Sequence, residues 1–160
     1  MDFRILGTTE VLDGSCRVEL PAGRGRSLLA LLILHAGEPV AVDRIVDELW
    51  GENAPRTAGT VVYGLASRLR RAFEPERPKG SMSEVLETVG SAYRLAVDPV
   101  SIHANRFKRL LGEARGAAPR NRSSKLAAAL ELWRGPALAD FTYEPFAQGA
   151  IAVLEELRLG

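Results

Sequence analysis

The chain has 160 residues, of which 46% are apolar and 26% are charged, with 21 Lys and Arg against 20 Asp and Glu. This composition is typical of a folded protein with one domain or two small ones, and it excludes a chain that is disordered, collagen-like or coiled-coil throughout. The longest unbroken apolar run, residues 28–34, is far below the roughly 20 residues of a membrane span. We therefore expect a cytoplasmic protein that does not associate with a membrane.

The residues that could carry catalysis or hold a metal are few. Cys16 is the single cysteine and the chain has two histidines, His35 and His103, which is too few for the usual zinc sites. The GRGRS string at residues 23–27 lacks the lysine and the spacing of a nucleotide-binding loop. It favours a loop that leads into a helix, with a phosphate or polymerase contact as the alternative. We expect no enzymatic activity, no metal and no cofactor.

The first predicted elements are short strands followed by an apolar helix. FRIL, EVL and CRVEL within residues 3–20 have strand character, and Asp13-Gly14 between alternating runs predicts a hairpin turn. The leucine-rich stretch after Arg26 predicts a helix that is buried on most sides and ends at Gly37.

Charge separates the next two predicted helices. Residues 42–50 predict a helix with acids on its polar side, and residues 43–52 hold four acids against one base, Arg44. Residues 57–73 predict a third helix, and residues 53–73 hold four arginines and no acid. At about 100° per residue, its apolar side chains, Val61 among them, gather on one side. The opposite side holds Arg56, Thr60, Tyr63, Ser67 and Arg71, flanked by Arg68 and Arg70.

A loop, a hairpin and a helical half complete the predicted order. Residues 74–84 predict a mobile loop, and two strand-like runs joined at residues 90–92 predict a hairpin. After residue 98 three helices are expected, at about residues 104–116, 123–134 and 144–159. Their predicted inward side chains include Phe107, Ala114, Leu126, Ala129, Leu130, Trp133, Val153 and Leu154.

Strands, three helices and a hairpin follow one another in the order of a winged helix-turn-helix, in which the third helix reads DNA and the hairpin is the wing. The strings ELWG, SRLRRAF and AYRLAV make residues 1–97 resemble the OmpR-type DNA-binding domain of the Streptomyces antibiotic regulatory protein (SARP) family. LWRGPALAD and LEELRL make residues 98–160 similar to a shortened bacterial transcriptional activation domain. The expected fold is an α+β winged helix followed by an all-α, TPR-like helical domain.

The resemblance implies a transcriptional activator of a secondary-metabolite (antibiotic) gene cluster. Such a protein binds direct repeats in double-stranded DNA through the major groove, forms homo-oligomers there and recruits RNA polymerase holoenzyme. Arg70 is expected to reach a phosphate, and the wing with Tyr93 and Arg94 to approach a minor groove. The residues predicted to lie at DNA are Trp50, Arg56, Thr60, Tyr63, Gly64, Ser67, Arg68, Arg70, Arg71, Tyr93 and Arg94.

Alternative interpretations remain open at several positions. The family usually carries Gly before the wing tyrosine and an Arg earlier in the turn, where this chain has Ala92 and Val89. Trp50 is either a core residue or a phosphate contact, and the arginines of the third helix are either a solvated face or a DNA contact. The acids at residues 43–52 are either an ordinary polar surface or a surface for basic parts of the polymerase. The alternative function is a protein-interaction scaffold whose winged helix has lost specific DNA binding.

Overall fold

The computed structural model describes all residues 1–160. The chain forms two compact units, residues 16–97 and residues 1–15 together with 98–160. None of the helices is both long enough and apolar enough to cross a membrane.

The unit of residues 16–97 contains the winged helix. Its elements are β3 (Cys16–Arg17), α1 (Arg24–Leu34), β4 (Val40–Ala41), α2 (Val42–Trp50), α3 (Ala58–Phe73), β5 (Leu86–Val89) and β6 (Ala92–Leu95). The last two strands form the predicted hairpin, and β4 adds to β6 to give an antiparallel sheet of order β4-β6-β5. The predicted order of helices and hairpin is confirmed.

Helix α1 begins where the GRGRS string leads the chain into it. Gly23 has φ of 61°, a left-handed conformation that favours glycine. A Cβ on Gly25 would lie 2.7 Å from Cβ of Pro21, so only glycine fits in the first turn. Leu28, Leu29 and the residues up to 32 are almost completely buried, as the apolar run predicts. The glycines of GRGRS therefore serve the start of α1.

The wing is attached to the helices by its backbone. Val42 at the start of α2 donates its N–H to the carbonyl of Ser91 at 2.9 Å, and the N–H of Gly37 donates to Leu95 at 2.9 Å. Helix α3 packs against α1 and α2 through buried side chains that include Val62, Leu65 and Leu69. The hairpin and α3 thus belong to one core.

The loop after α3, predicted to be mobile, is held at its ends by the carboxylate of Glu74. This group accepts hydrogen bonds from the hydroxyl of Ser83 and from the N–H groups of Glu84 and Val85, the latter two at 3.3 Å. Burial acts to raise the pKa of Glu74, but these hydrogen bonds and the nearby Arg77 outweigh it and lower the pKa. The carboxylate joins the C-terminal end of α3 to the chain entering β5.

The second unit combines the N-terminal segment with the helical half. Its elements are β1 (Asp2–Arg4), β2 (Glu10–Asp13), α4 (His103–Arg115), α5 (Pro119–Glu131) and α6 (Gln148–Leu159). Strands β1 and β2 pair in antiparallel register with Phe3 opposite Val11, and Phe3 also bridges to Ile102. Helices α4 and α5 form a closely packed hairpin.

The LWRGPALAD string runs beside residues 5–9. The N–H of Arg134 donates to the carbonyl of Leu6 and that of Leu138 to Ile5, both at 2.8 Å. The N–H of Thr9 donates to a carboxylate oxygen of Asp140 at 3.1 Å. Residues 1–15 thus belong to the same compact unit as residues 98–160, and residues 16–97 form the other unit.

The predicted helix boundaries in this unit need correction. Helix α5 begins at Pro119, four residues before the predicted start, because proline fits the first turn of a helix. It ends at Glu131, and Trp133 lies beyond it with its ring 5.2 Å from that of Phe107 in an edge-to-face contact. Helix α6 begins at Gln148, after a 3₁₀ turn that contains Pro145.

Phe107, Ala114, Trp133 and Leu154 are buried, as the periodicity predicts. Several other residues predicted to point inward are instead exposed, namely Leu126, Leu130 and Val153.

His103 makes the stability of this unit depend on pH. It is buried at the start of α4, and burial together with Arg4 and Arg106 lowers its pKa below 6.5, against the opposing effect of Asp2. The unfolded chain therefore binds more protons as the pH falls below about 6.5.

We expect the urea midpoint of the helical unit to decrease between pH 7 and pH 5.5 as His103 becomes protonated on unfolding. Glu74 and Glu113, whose pKa values are lowered from 4.5, change the stability only as the pH falls to about 4.5 and below, outside this range. His103→Gln should make the midpoint less dependent on pH in this range. An unchanged dependence in His103→Gln would contradict the assignment.

Candidate nucleic-acid interface

One side of α3 is exposed along most of its length. We call this side the α3 face; its residues are Thr60, Tyr63, Gly64, Ser67, Arg68 and Arg71, all of them exposed. The buried side of the same helix holds Val62, Leu65 and Leu69. The predicted division of α3 into an apolar and a polar side is thus confirmed for these residues, with Val61 as an exception.

The α3 face carries positive charge that is not neutralised within the protein. Arg68 and Arg71 are exposed and make no ion pair, and no acidic residue occurs in α3. Arg56 is also exposed, but it lies in the turn before α3 and not on the helix. The face therefore offers free guanidinium groups and hydroxyl groups side by side, which suits phosphate and base-edge acceptors.

Gly64 lies at the middle of the α3 face. A Cβ built on it would have no atom within 4 Å, so no packing inside the protein requires glycine here. Glycine within a helix costs about 1 kcal/mol relative to alanine. The position leaves the backbone of α3 open to close approach from outside.

Trp50 ends α2 and is half-buried. The guanidinium of Arg24 lies over its ring at 4.6 Å from the ring centre, a cation–π contact. One face of the indole is therefore covered by a side chain of the same unit. The indole is thus partly covered, as a core residue is, and partly exposed, as a phosphate contact requires. That Trp50 contacts a phosphate stays a prediction.

Arg70, predicted to reach a phosphate, is bound to the wing in the structure. Its Nε donates to the carbonyl of Leu86 at 2.9 Å and its terminal nitrogen to the hydroxyl of Thr88 at 2.7 Å. Its guanidinium also lies 5.4 Å from the ring centre of Tyr93. Arg70 fastens α3 to β5 and is not a free cation of the α3 face.

Tyr93 and Arg94, predicted to lie at the minor groove, also contact other groups of the winged helix. Tyr93 is 4% exposed, and burial raises the pKa of its phenol although the neighbouring Arg70 opposes the shift. Arg94 donates from Nε to the carboxylate of Glu87 on the opposite strand at 2.8 Å. The wing therefore uses its arginine within its own hairpin.

Val61 departs from the predicted pattern. The helical periodicity places it on the apolar side of α3, but the side chain is 39% exposed and borders the α3 face. Val61 precedes the buried Val62 by one residue, about 100° around the helix, and so lies at the edge of the buried side and not at its centre. The sequence pattern does not show that Val61 is exposed; the folded chain does.

Two families match the chain in succession. The family described as "Transcriptional regulatory protein, C terminal" matches residues 18–95, and the "Bacterial transcriptional activator domain" matches residues 102–160. The first match spans the winged helix and the second spans the helices α4 to α6. Both families are regulators of transcription and not enzymes.

Curated relatives match over nearly the whole chain. It is 34% identical to the transcriptional regulator RedD of Streptomyces coelicolor, over 99% of this chain and 46% of RedD. It is 33% identical to the regulatory protein DnrI of Streptomyces peucetius, over 100% of this chain and 61% of DnrI. The chain thus spans about half the length of these relatives.

A solved structure has the same fold. Mycobacterium tuberculosis EmbR, in complex with a low affinity phosphopeptide, superimposes with a TM-score of 0.87 at 27% identity, over 99% of this chain and 42% of that chain. A winged helix followed by a helical half is therefore a fold that the chain shares with EmbR, a protein described as a transcriptional regulatory protein.

Proposed function

The chain belongs to the SARP family of transcriptional regulators, and on that premise we propose that it is a sequence-specific DNA-binding activator. The observation that supports this most strongly is the α3 face, where Arg68 and Arg71 are exposed and unpaired in a helix without acids. B-form DNA accepts one helix in its major groove and attracts arginine at its phosphates. The α3 face is the surface that enters the groove.

The side chains of the interface divide into two groups. The side chains of the α3 face and Arg56 contact DNA, with Arg68 on a guanine edge and Arg71 and Arg56 nearer the phosphates. Arg70, Tyr93 and the Arg94–Glu87 pair support the interface from within. The wing then contributes little charge, so the salt dependence of binding comes mainly from α3 and the turn before it.

The wider function follows the family resemblance. The protein binds direct repeats as more than one copy, lies near a promoter of an antibiotic gene cluster in the cytoplasm and recruits RNA polymerase. The exposed acids Asp43 and Asp47 on α2 carry a charge that DNA repels and basic polymerase regions attract. These residues are the part of the winged helix that we assign to the polymerase.

Selection of random duplex DNA on the purified chain tests the proposal. We expect enrichment of a repeated motif with a spacing near one helical turn, bound at least about a thousandfold more tightly than a scrambled duplex. Affinity should fall with salt for both duplexes, because phosphate contacts release counterions. Equal, weak binding to the selected and scrambled duplexes would contradict specific recognition.

Gly64→Ala is expected to change the stability of the chain and its affinity for DNA in opposite directions. Because the site is open and helical, the substitution should stabilise the chain by about 0.5 to 1 kcal/mol and raise its melting temperature. It should nevertheless weaken DNA binding, since the added methyl group lies where the backbone of α3 approaches the groove.

Gly112→Ala is the matched control for this prediction. Gly112 lies within α4, is exposed and has equally open surroundings, so it should show the stabilisation without the loss of affinity. Thermal unfolding and duplex titration measure both effects. Undiminished affinity in Gly64→Ala would mean that α3 does not approach DNA closely at this residue.

A protein-interaction scaffold is the second candidate, favoured by apolar side chains that the helical half leaves exposed. Leu130 and Val153 are each 51% exposed on α5 and α6. Light scattering tests it: self-association that is lost in Leu130→Ser and Val153→Ser, together with absence of an enriched duplex, would favour the scaffold. A monomer that binds a defined repeat tightly would contradict it.

A further inference from the structure

Tyr63 differs in chemistry from the rest of the α3 face. The other side chains there are hydroxyls and guanidiniums, at Thr60, Ser67, Arg68 and Arg71, and these groups recognise hydrogen-bond acceptors. Tyr63 is 54% exposed and presents an aromatic ring. It is therefore the one large apolar surface on a face otherwise made for polar contacts.

The ring of Tyr63 is supported from the wing. Its centre lies 6.3 Å from that of Tyr93 with an angle of 64° between the planes, an edge-to-face contact. Tyr93 is buried, and its backbone pairs with both Val40 and Thr88.

Tyr93, which supports the ring of Tyr63, is itself in contact with Arg70. The guanidinium of Arg70 lies near the Tyr93 ring and is fixed by the Leu86 carbonyl and the Thr88 hydroxyl. A half-exposed ring on such a support loses little freedom when it binds, because its direction is already restricted.

Thymine is the base that such a ring can recognise. In the major groove its distinguishing feature is the apolar 5-methyl group, which proteins read through apolar contact. Resting on the proposed function above, we propose that Tyr63 is a specificity-determining residue that selects a thymine through van der Waals contact between its ring and the 5-methyl group. The open site at Gly64 beside it lets the ring come close to the base.

A uracil scan of the selected duplex tests this inference. Each thymine is replaced singly by deoxyuridine, which removes only the methyl group. We expect one position at which the wild-type chain loses about fourfold in affinity, the amount that corresponds to one buried methylene-sized group. Tyr63→Phe should retain this ratio of thymine to uracil affinity, whereas Tyr63→Ala should bring it to about one.

Val61→Ala is the matched control. Val61 is the other exposed apolar side chain bordering the α3 face, about 160° around the helix from Tyr63 at 100° per residue. It should leave the ratio unchanged, and loss of the ratio in Val61→Ala but not in Tyr63→Ala would overturn the assignment.

The scan also separates this inference from the proposed function. An enriched duplex in which no thymine is sensitive, or in which Tyr63→Ala retains the wild-type ratio, overturns the role of Tyr63 while specific binding stands. Failure to enrich any duplex overturns specific recognition itself and the thymine contact with it.

Discussion

Replacing Arg68 by alanine is expected to weaken binding to the selected duplex by about 1 to 3 kcal/mol and to relax the sequence preference at one base pair. The guanidinium is exposed on the α3 face, one turn along the helix from Gly64, and it has no partner within the protein to release. Its loss should therefore leave folding unchanged and appear entirely in DNA binding. Titrations of the selected duplex and of single-base variants at two salt concentrations measure both effects.

The control for Arg68→Ala removes the same charge elsewhere. Arg120 is exposed in the first turn of α5, within the other unit of the chain, and Arg120→Ala should bind the selected duplex as the wild type does. A phosphate contact behaves differently again: Arg71→Ala should weaken all duplexes about equally and reduce the salt slope by roughly one. An Arg68→Ala chain that keeps both affinity and base preference would exclude Arg68 from the base-reading role.

Removing residues 1–15 is expected to unfold the helical half while the winged helix stays folded. The deletion takes away Phe3, Ile5, Leu6 and Val11, which are all fully or almost fully buried. At about 1.5 to 3 kcal/mol for each buried side chain, the loss is about 6 to 12 kcal/mol. This is comparable with the whole stability of a domain, about 5 to 15 kcal/mol.

Amide hydrogen exchange distinguishes the two units in the shortened chain. We expect α4, α5 and α6 to lose protection and α1, α2 and α3 to keep it, because the latter have their own core within residues 16–97. Adding a peptide of residues 1–15 should restore protection as its concentration rises, since it binds only the folded unit. Full protection of α4 to α6 in the shortened chain would show that the helical half does not depend on the N-terminal segment.

Much of the candidate site was predictable because it depends on local periodicity. An α-helix of known phase places Thr60, Ser67 and Arg71 on one side, and the absence of acids from residues 53–73 is visible without a structure. The order of strands, helices and hairpin indicated the winged helix, and the ELWG and SRLRRAF strings indicated its family. For the same reason α2 begins and ends at the predicted residues, Val42 and Trp50.

The roles of Arg70 and Arg94 were not predictable in this way. Periodicity places Arg70 beside the α3 face, but whether its guanidinium is free depends on where the carbonyl of Leu86 lies, 16 residues further along the chain. Arg94 is likewise bound because strand pairing sets it opposite Glu87. Two arginines with the same local pattern as a DNA contact are thus occupied by groups that are remote in sequence.

Side-chain order over a few turns is enough to predict which segments are helices, which side of α3 is polar and positive, and which family the chain resembles. Three features become visible only in the folded chain: residues 1–15 join residues 98–160, Arg70 supports the wing, and Tyr93 lies beneath Tyr63. Those outcomes depend on hydrogen bonds and buried contacts between residues far apart in the chain, such as Thr9 and Asp140. No local pattern specifies such pairs. They form when both partners are buried in one core, where apolar side chains leave water together and buried polar groups need hydrogen-bond partners.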